Sequence, residues 1–223
     1  MYEAWTAREA EGVTVSDLDH EEYETYGFGK PARDDQPALA VASDDIDDSD
    51  DDDDDDDDDE LEDAADDEID FVIAAYREDG QALVQALSKD LANDLEDLIV
   101  QLRRLPGDAG ATGYVSLVEE VFVIVRVRGR HVQVLLSDAA AAADWPIARD
   151  VADLLDAEIP ESDHESDPMG DLALLADLGV SEFDLGAILD NLDLTSVQML
   201  TQIADQMKIG PQFRRVAEAA FHA

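Results

Sequence analysis

Short runs of apolar residues separated by turn residues dominate the chain from residue 69 onward, and they predict β-strands. The first two runs are joined by Asp79-Gly80, a dipeptide typical of tight hairpin turns. Three further runs follow Pro106-Gly107. The predicted strands cover residues 69–76, 81–87, 112–118, 121–128 and 131–137.

The last two predicted strands form a hairpin whose register follows from the residue pattern. A two-residue loop at Gly129-Arg130 places Val127 opposite Val132 and Val125 opposite Val134. One face of the hairpin is then entirely apolar, and a slip of one residue would destroy this separation. We therefore expect that face to be core and the other to be part solvent and part contact surface. The other face carries Arg126, Arg128, His131 and Gln133 near the turn, and Phe122, Ile124 and Leu135 farther away.

Apolar residues at helical spacing predict a helix after each hairpin. Asp90 can cap the first helix, which Pro106-Gly107 ends. Ser137 can cap an alanine-rich second helix, which Pro146 interrupts or restarts and which continues to Pro160. The apolar stripe of the first helix comprises Leu91, Leu95, Leu98, Ile99 and Leu102.

Three more short helices are predicted near the C-terminus, where Ser181 caps one and Thr195 opens a capping-box pattern before the next. The last covers residues 213–221. The fold class is therefore α+β: a mostly antiparallel sheet of about five strands packs against helices on one side, and a small helical segment closes the C-terminus. We predict a sheet domain at 69–160 and a helical segment at 161–223 packed on the same domain.

Charge separates the first 68 residues from the rest. The chain has 58 acidic and 14 basic residues, for a net charge of −44. Residues 50–59 form an unbroken run of aspartates. Adjacent like charges repel and nothing there can be buried, so we predict that residues 1–68 are a disordered acidic extension. Such a charge favours basic protein surfaces as partners and opposes direct nucleic acid binding. The sequence leaves open whether residues 1–43 are translated.

No recognisable catalytic motif is present. Cysteine is absent, which excludes a cysteine nucleophile and the His/Cys/Cys zinc site of nucleobase deaminases. There is no glycine-rich phosphate loop and no Gly-x-Ser-x-Gly elbow. His164 lies between Asp163 and Glu165, but a solvated acidic loop explains this better than a metal site. We therefore expect no enzymatic activity, no cofactor and no specific metal site.

The compartment is predicted from what the chain lacks. No apolar run approaches the roughly 20 residues of a membrane helix, and the longest continuous one covers residues 121–125. No basic-then-apolar leader opens the chain. Together with the absence of cysteine, these features predict a cytoplasmic protein that does not contact a membrane.

One basic cluster stands out at strand spacing: Arg126, Arg128 and Arg130, joined by His131. Three arginines could meet a phosphate or a patch of carboxylates. The alternative is a solvated hairpin tip, or an internal partner for the acidic residues of the chain itself. RNA-binding surfaces usually add a wider basic field or stacking aromatic residues, which are not evident here.

The folded part resembles the tRNA adenosine deaminase-associated proteins of actinobacteria in the order and spacing of several segments. The resemblance covers about residues 69–221 and leaves 1–68 unmatched. It implies association with a tRNA adenosine deaminase, but no catalytic residue set to carry over. We add Trp145, which lies in one of the segments, to the candidate partner-binding residues. The segments are 71–80, 121–129 with its Val-Arg-Val-Arg-Gly ending, 136–138, 144–149, 170–172, 176–179 and 185–190.

Three functional hypotheses follow. The first is a non-catalytic accessory protein that binds or modulates the deaminase in tRNA wobble editing. The second is a small-molecule or RNA-binding domain or enzyme that uses the face of Arg126, Arg128 and His131. The third is an acidic masking or chaperone protein that acts through its aspartate run.

Overall fold

The computed structural model describes residues 61–107, 109–160 and 167–221. Most of the predicted disordered extension, and His164 with its acidic neighbours, lie outside these residues. Within them, a single sheet has the strand order β2-β1-β3-β4-β5-β6, and every neighbouring pair is antiparallel. Its strands are Ile69–Glu78 (β1), Gln81–Ala86 (β2), Ala111–Leu117 (β3), Val121–Arg128 (β4), His131–Leu136 (β5) and Met169–Gly170 (β6).

Helices fill the connections and the C-terminal part of the described chain. None of those found there is long and apolar enough to cross a membrane. Short 3₁₀ turns occur at Lys89–Ala92, Ala139–Ala143 and Ala176–Leu178. The α-helices are Leu95–Arg103 (α1), Pro146–Leu155 (α2), Glu182–Leu189 (α3), Ser196–Gln206 (α4) and Gly210–Phe221 (α5).

The structure confirms the α+β class, the mostly antiparallel sheet and the predicted hairpin register. Val127 pairs with Val132, Val125 with Val134, and Arg128 with His131. The sheet gains one short strand beyond the predicted set, because Met169–Gly170 pairs with the end of β5. That segment is too short to show a pattern in the sequence.

Both faces of the sheet are covered, whereas the sequence predicted helices on one side. The valine face packs against α1, α2 and the alanine-rich 3₁₀ turn. The second face is also apolar along most of its length, and α3, α4 and α5 bury it. The helical segment therefore forms a third layer rather than a closing cap. The second face is built on Phe71, Ile73, Tyr114, Phe122, Ile124 and Leu135.

Two helix starts differ from their predictions. The first helix begins after Asp94, whose side chain accepts from the Asp97 N–H, and the residues after Asp90 form only a 3₁₀ turn. Asp138, not Ser137, caps the alanine-rich turn. In both places two residues that can cap a helix lie close together in sequence, and the later one accepts the backbone N–H bond. The caps predicted at Ser181 and Thr195 are confirmed, the latter with both bonds of a capping box.

Candidate functional site

Charge is distributed unevenly between the two ends of the sheet. At one end lie the β1–β2 and β4–β5 turns and the connection from α1 to β3. Arginines outnumber the carboxylates of Glu78, Asp79 and Asp177 there. The arginines are Arg77, Arg103, Arg104, Arg126, Arg128 and Arg130. The other end holds the β3–β4 turn and the loop between α3 and α4, where carboxylates gather: Asp70, Glu119, Glu120, Asp138, Asp167, Asp190 and Asp193.

Arg126 is the buried centre of the basic end. Its position in β4 puts it between Thr112 of β3 and Gln133 of β5. The side chain points to the face covered by the C-terminal helices, and the residue is only 2% exposed. Its Nη1 donates to Oγ1 of Thr112 at 2.9 Å, and its Nη2 donates to Oδ2 of Asp177 at 2.8 Å. Among the described residues, its Nε has no hydrogen-bond partner.

The carboxylate of Asp177 compensates the positive charge of Arg126. Burial lowers the pKa of Arg126 below its usual value, and the carboxylate of Asp177 opposes that shift. Arginine stays protonated at neutral pH even so, because its unperturbed pKa is far above 7. The same Oδ2 of Asp177 lies 3.6 Å from Nη1 of Arg128, whose side chain is half exposed. A single partly exposed carboxylate therefore serves two guanidinium groups.

A pocket opens beside Arg126. Its empty volume, open mouth included, is about 370 Å³. The walls are mostly apolar and come from β1, β2 and the helical layer, while Arg126 and Thr112 supply buried polar atoms. The main lining residues are Ala75, Ala82, Leu178, Met207 and Ile209.

The predicted site residues do not form one cluster. Arg126 and Arg128 come together over Asp177, as their strand spacing implies. Arg130 and His131 lie exposed at the β4–β5 turn. Trp145 packs against the core on the valine face, on the opposite side of the sheet from Arg126. Their role in partner binding stays a prediction.

Sequence reasoning missed the residues that complete the Arg126 site. Thr112 lies directly opposite Arg126 in the sheet, so the pairing of β3 with β4 could have revealed it. Asp177 lies 51 positions along the chain in a 3₁₀ turn, and no local pattern marks it among so many acidic residues.

The acidic end holds a wide groove. Its empty volume, open solvent included, is about 1360 Å³. Leu189 and Met199 contribute apolar wall, and Leu192 stands at the groove with 83% of its surface exposed. The carboxylates that line it are Glu119, Glu120, Asp138, Asp167, Asp190 and Asp193.

Next to this groove, a network of buried polar side chains links β1, β3 and the start of α4. Oγ of Ser116 donates to Oδ2 of Asp70 at 2.7 Å and lies 2.7 Å from Oγ of Ser196. Because Ser116 has one hydroxyl proton, Ser196 must donate the second bond. The backbone N–H of Glu119 also donates to Asp70, and that of Ser196 donates to the carbonyl of Glu119. The start of α4 is thereby tied to the β3–β4 turn.

Residues 70–210 match the family described as Rv3753c-like tRNA adenosine deaminase-associated protein. The chain belongs to this family. Protein Rv3753c of Mycobacterium tuberculosis is 39% identical over 158 residues, which are 70% of this chain and 91% of that protein. No solved structure was found to match. The resemblance inferred from the sequence is confirmed.

The matched segment of this deaminase-associated protein contains both ends of the sheet. All lining residues of the Arg126 pocket and of the acidic groove lie within residues 70–210. In the part of the chain that the structure describes, no three His, Asp or Glu residues are grouped so as to hold a metal ion. The two candidate sites are thus a basic pocket and an acidic groove.

Proposed function

We propose that this protein is a non-catalytic accessory partner of a tRNA adenosine deaminase and that it binds the deaminase through the acidic groove. The family description supplies the partner. The groove is the observation that supports a contact surface, because it combines carboxylates with exposed Leu192. Cytoplasmic tRNA editing is the setting that this proposal implies.

Electrostatics favours this pairing. An enzyme that acts on tRNA needs basic residues to hold phosphates. An acidic groove is complementary to such a surface, and complementary charge mainly raises association rate and specificity. Protein interfaces commonly combine an apolar centre with a polar rim. Exposed Leu192, with Asp190 and Asp193 beside it, matches that arrangement.

The non-catalytic part of the proposal rests on residue types. The whole chain has no cysteine, so it cannot build the His/Cys/Cys zinc site with which nucleobase deaminases activate water. With a net charge of −44, the chain is also poorly suited to hold tRNA by itself. Its contribution would then be made through the deaminase, by contact.

Titration calorimetry of the full chain against the deaminase tests the proposal. We expect a saturable complex that Asp190→Lys/Asp193→Lys weakens by about ten-fold or more, since charge reversal at a complementary interface costs several kcal/mol. Both side chains are exposed at the groove, which limits the effect on folding. Asp153→Lys/Glu218→Lys is the matched control, with the same charge change on exposed helix positions outside the groove lining.

Four outcomes decide between the hypotheses. Loss of binding in the groove variant alone supports the proposal. Equal weakening by both double variants would mean that net charge acts and the groove does not. Replacing residues 50–59 by serine tests the aspartate run: if that change alone removes binding, the acidic masking hypothesis replaces this one. No complex at low salt would rule out a direct partnership.

A further inference from the structure

The environment of Arg126 is unusual for a purely structural arginine. A buried charge is costly unless its donors are satisfied. Arg126 is 2% exposed, yet its Nε lacks a partner among the described residues. Its charged partner, Asp177, is 45% exposed and so is only partly withdrawn from water. Buried unsatisfied donors in folded proteins call for an explanation, such as a missing water or ligand.

The open donor belongs to one edge of the guanidinium. Nε and Nη2 form a side-on edge that can hold a carboxylate with two parallel hydrogen bonds. Nη2 donates to one oxygen of Asp177 at 2.8 Å and to the carbonyl of Ala109 at 3.5 Å, whereas no described residue accepts from Nε. One nitrogen of this edge therefore already contacts an internal carboxylate, and the other is open.

We infer that the pocket beside Arg126 binds a small carboxylic acid with an apolar body, whose carboxylate takes the Nε–Nη2 edge and displaces Asp177. The apolar walls from Ala82, Leu178 and Met207 would hold the body of the molecule. Arg128, half exposed and 3.6 Å from the oxygen of Asp177, would add a second positive charge at the mouth.

The size of the pocket limits the ligand. The whole opening is only about 370 Å³, and that figure includes solvent at its mouth. The enclosed part is much smaller, so the pocket is below the size of typical small-molecule sites. A short aliphatic or single-ring acid is therefore the largest ligand that we propose, and a nucleotide does not fit.

The test uses the full chain at about 150 mM salt, which screens the long-range repulsion of anions. Acetate, butyrate, hexanoate and benzoate are titrated while backbone amide signals are followed by NMR. Hexanamide, which has the same shape without the charge, is the control ligand. We expect saturable binding with a dissociation constant on the order of 1 mM, tightening from acetate to hexanoate, and binding of hexanamide about ten-fold weaker.

Variants separate the proposed role from a structural one. Asp177→Asn should tighten hexanoate binding several-fold, because it removes the competing carboxylate; a purely structural Asp177 would not produce that gain. Arg126→Gln should abolish binding. If that variant does not fold, Ala82→Phe serves instead, since it fills the pocket from edge strand β2.

The proposal is overturned if hexanoate and hexanamide bind equally, if no acid saturates, or if Asp177→Asn weakens binding. These results do not depend on the deaminase. Lining residue Thr112 lies near the start of β3 and Glu119 just past its end, so the pocket and the groove are about 20 Å apart along the strand.

Discussion

At the scale of single residues, Asp70 and Tyr114 are buried polar groups of the sheet whose partners differ in kind. Asp70 is held by Ser116 and by the backbone N–H of Glu119. Tyr114 lies in the aromatic core, edge-on to Phe213 at 5.3 Å between ring centroids, and donates its hydroxyl to the sulfur of Met207. Burial raises the pKa of Tyr114 above its usual value, so it stays neutral across the physiological range.

Ser116→Ala tests the buried network. The change removes a donor to Asp70 and an acceptor for Ser196, both buried. We expect the free energy of unfolding to fall by about 1–3 kcal/mol, the usual cost of leaving buried polar groups unsatisfied. Urea denaturation followed by circular dichroism measures it.

Ser88→Ala is the control for that measurement. Its hydroxyl donates to Asp90 at 2.9 Å, but the pair is exposed to water. The expected change is within about 0.5 kcal/mol, as for most surface substitutions. Equal effects of the two substitutions would show that the network contributes nothing special.

Individual site residues were only partly predictable. Arg126 and Arg128 stand two apart in a strand, so their shared face could be read from alternation. The burial of Arg126 could not, because it depends on the helical layer that covers the second face. Its contact with Asp177 depends on a connection that carries no periodic signal.

At the scale of elements, a side chain of α2 helps to cap the first turn of α1. Asp150 of α2 accepts from the backbone N–H of Leu95, the first residue of α1. Burial raises the pKa of Asp150, the hydrogen bond from Leu95 lowers it, and the charges of Asp94 and Asp153 raise it further. The net result is a pKa above its usual value.

This shift predicts a pH dependence. A carboxyl group whose pKa is raised on folding binds its proton more tightly in the folded state, so its contribution to stability is lost as pH rises from about 4 through the raised pKa. Asp150→Asn removes that titration and keeps an acceptor for Leu95. We expect the variant to gain stability relative to the native chain between pH 3.5 and 7 in urea unfolding. A constant difference between the two proteins across pH would contradict this.

The pairing of the strands was easier to predict from the sequence than the number of helical layers on the sheet. The alternation in β4 and β5 determined their register because only one pairing keeps the valine face apolar. The second face carries Phe122 and Ile124, which could have met solvent, a partner or helices. Tertiary contacts with α3, α4 and α5 decided among these, and local sequence does not encode them.

At the scale of the whole molecule, self-repulsion should limit stability. A net charge of −44 disfavours compact states, and salt screens the repulsion. We expect Tm to rise when NaCl is raised from about 20 mM to about 300 mM, where the Debye length shrinks from roughly 20 Å to roughly 6 Å. Differential scanning calorimetry measures it, and a Tm that falls with salt would show that attractive ion pairs dominate.

The separation of charge along the sheet also has a consequence for motion. A body whose arginine-rich end is far less negative than its opposite end has an electric dipole moment. In the field of a charged neighbour such a body experiences a torque and rotates before contact is made. The ends are about 20 Å apart along the strands, so at low salt the described part of the chain should by itself approach a cationic surface with its groove first. At physiological salt the field decays within about 8 Å, and the alignment is confined to the final step of the encounter.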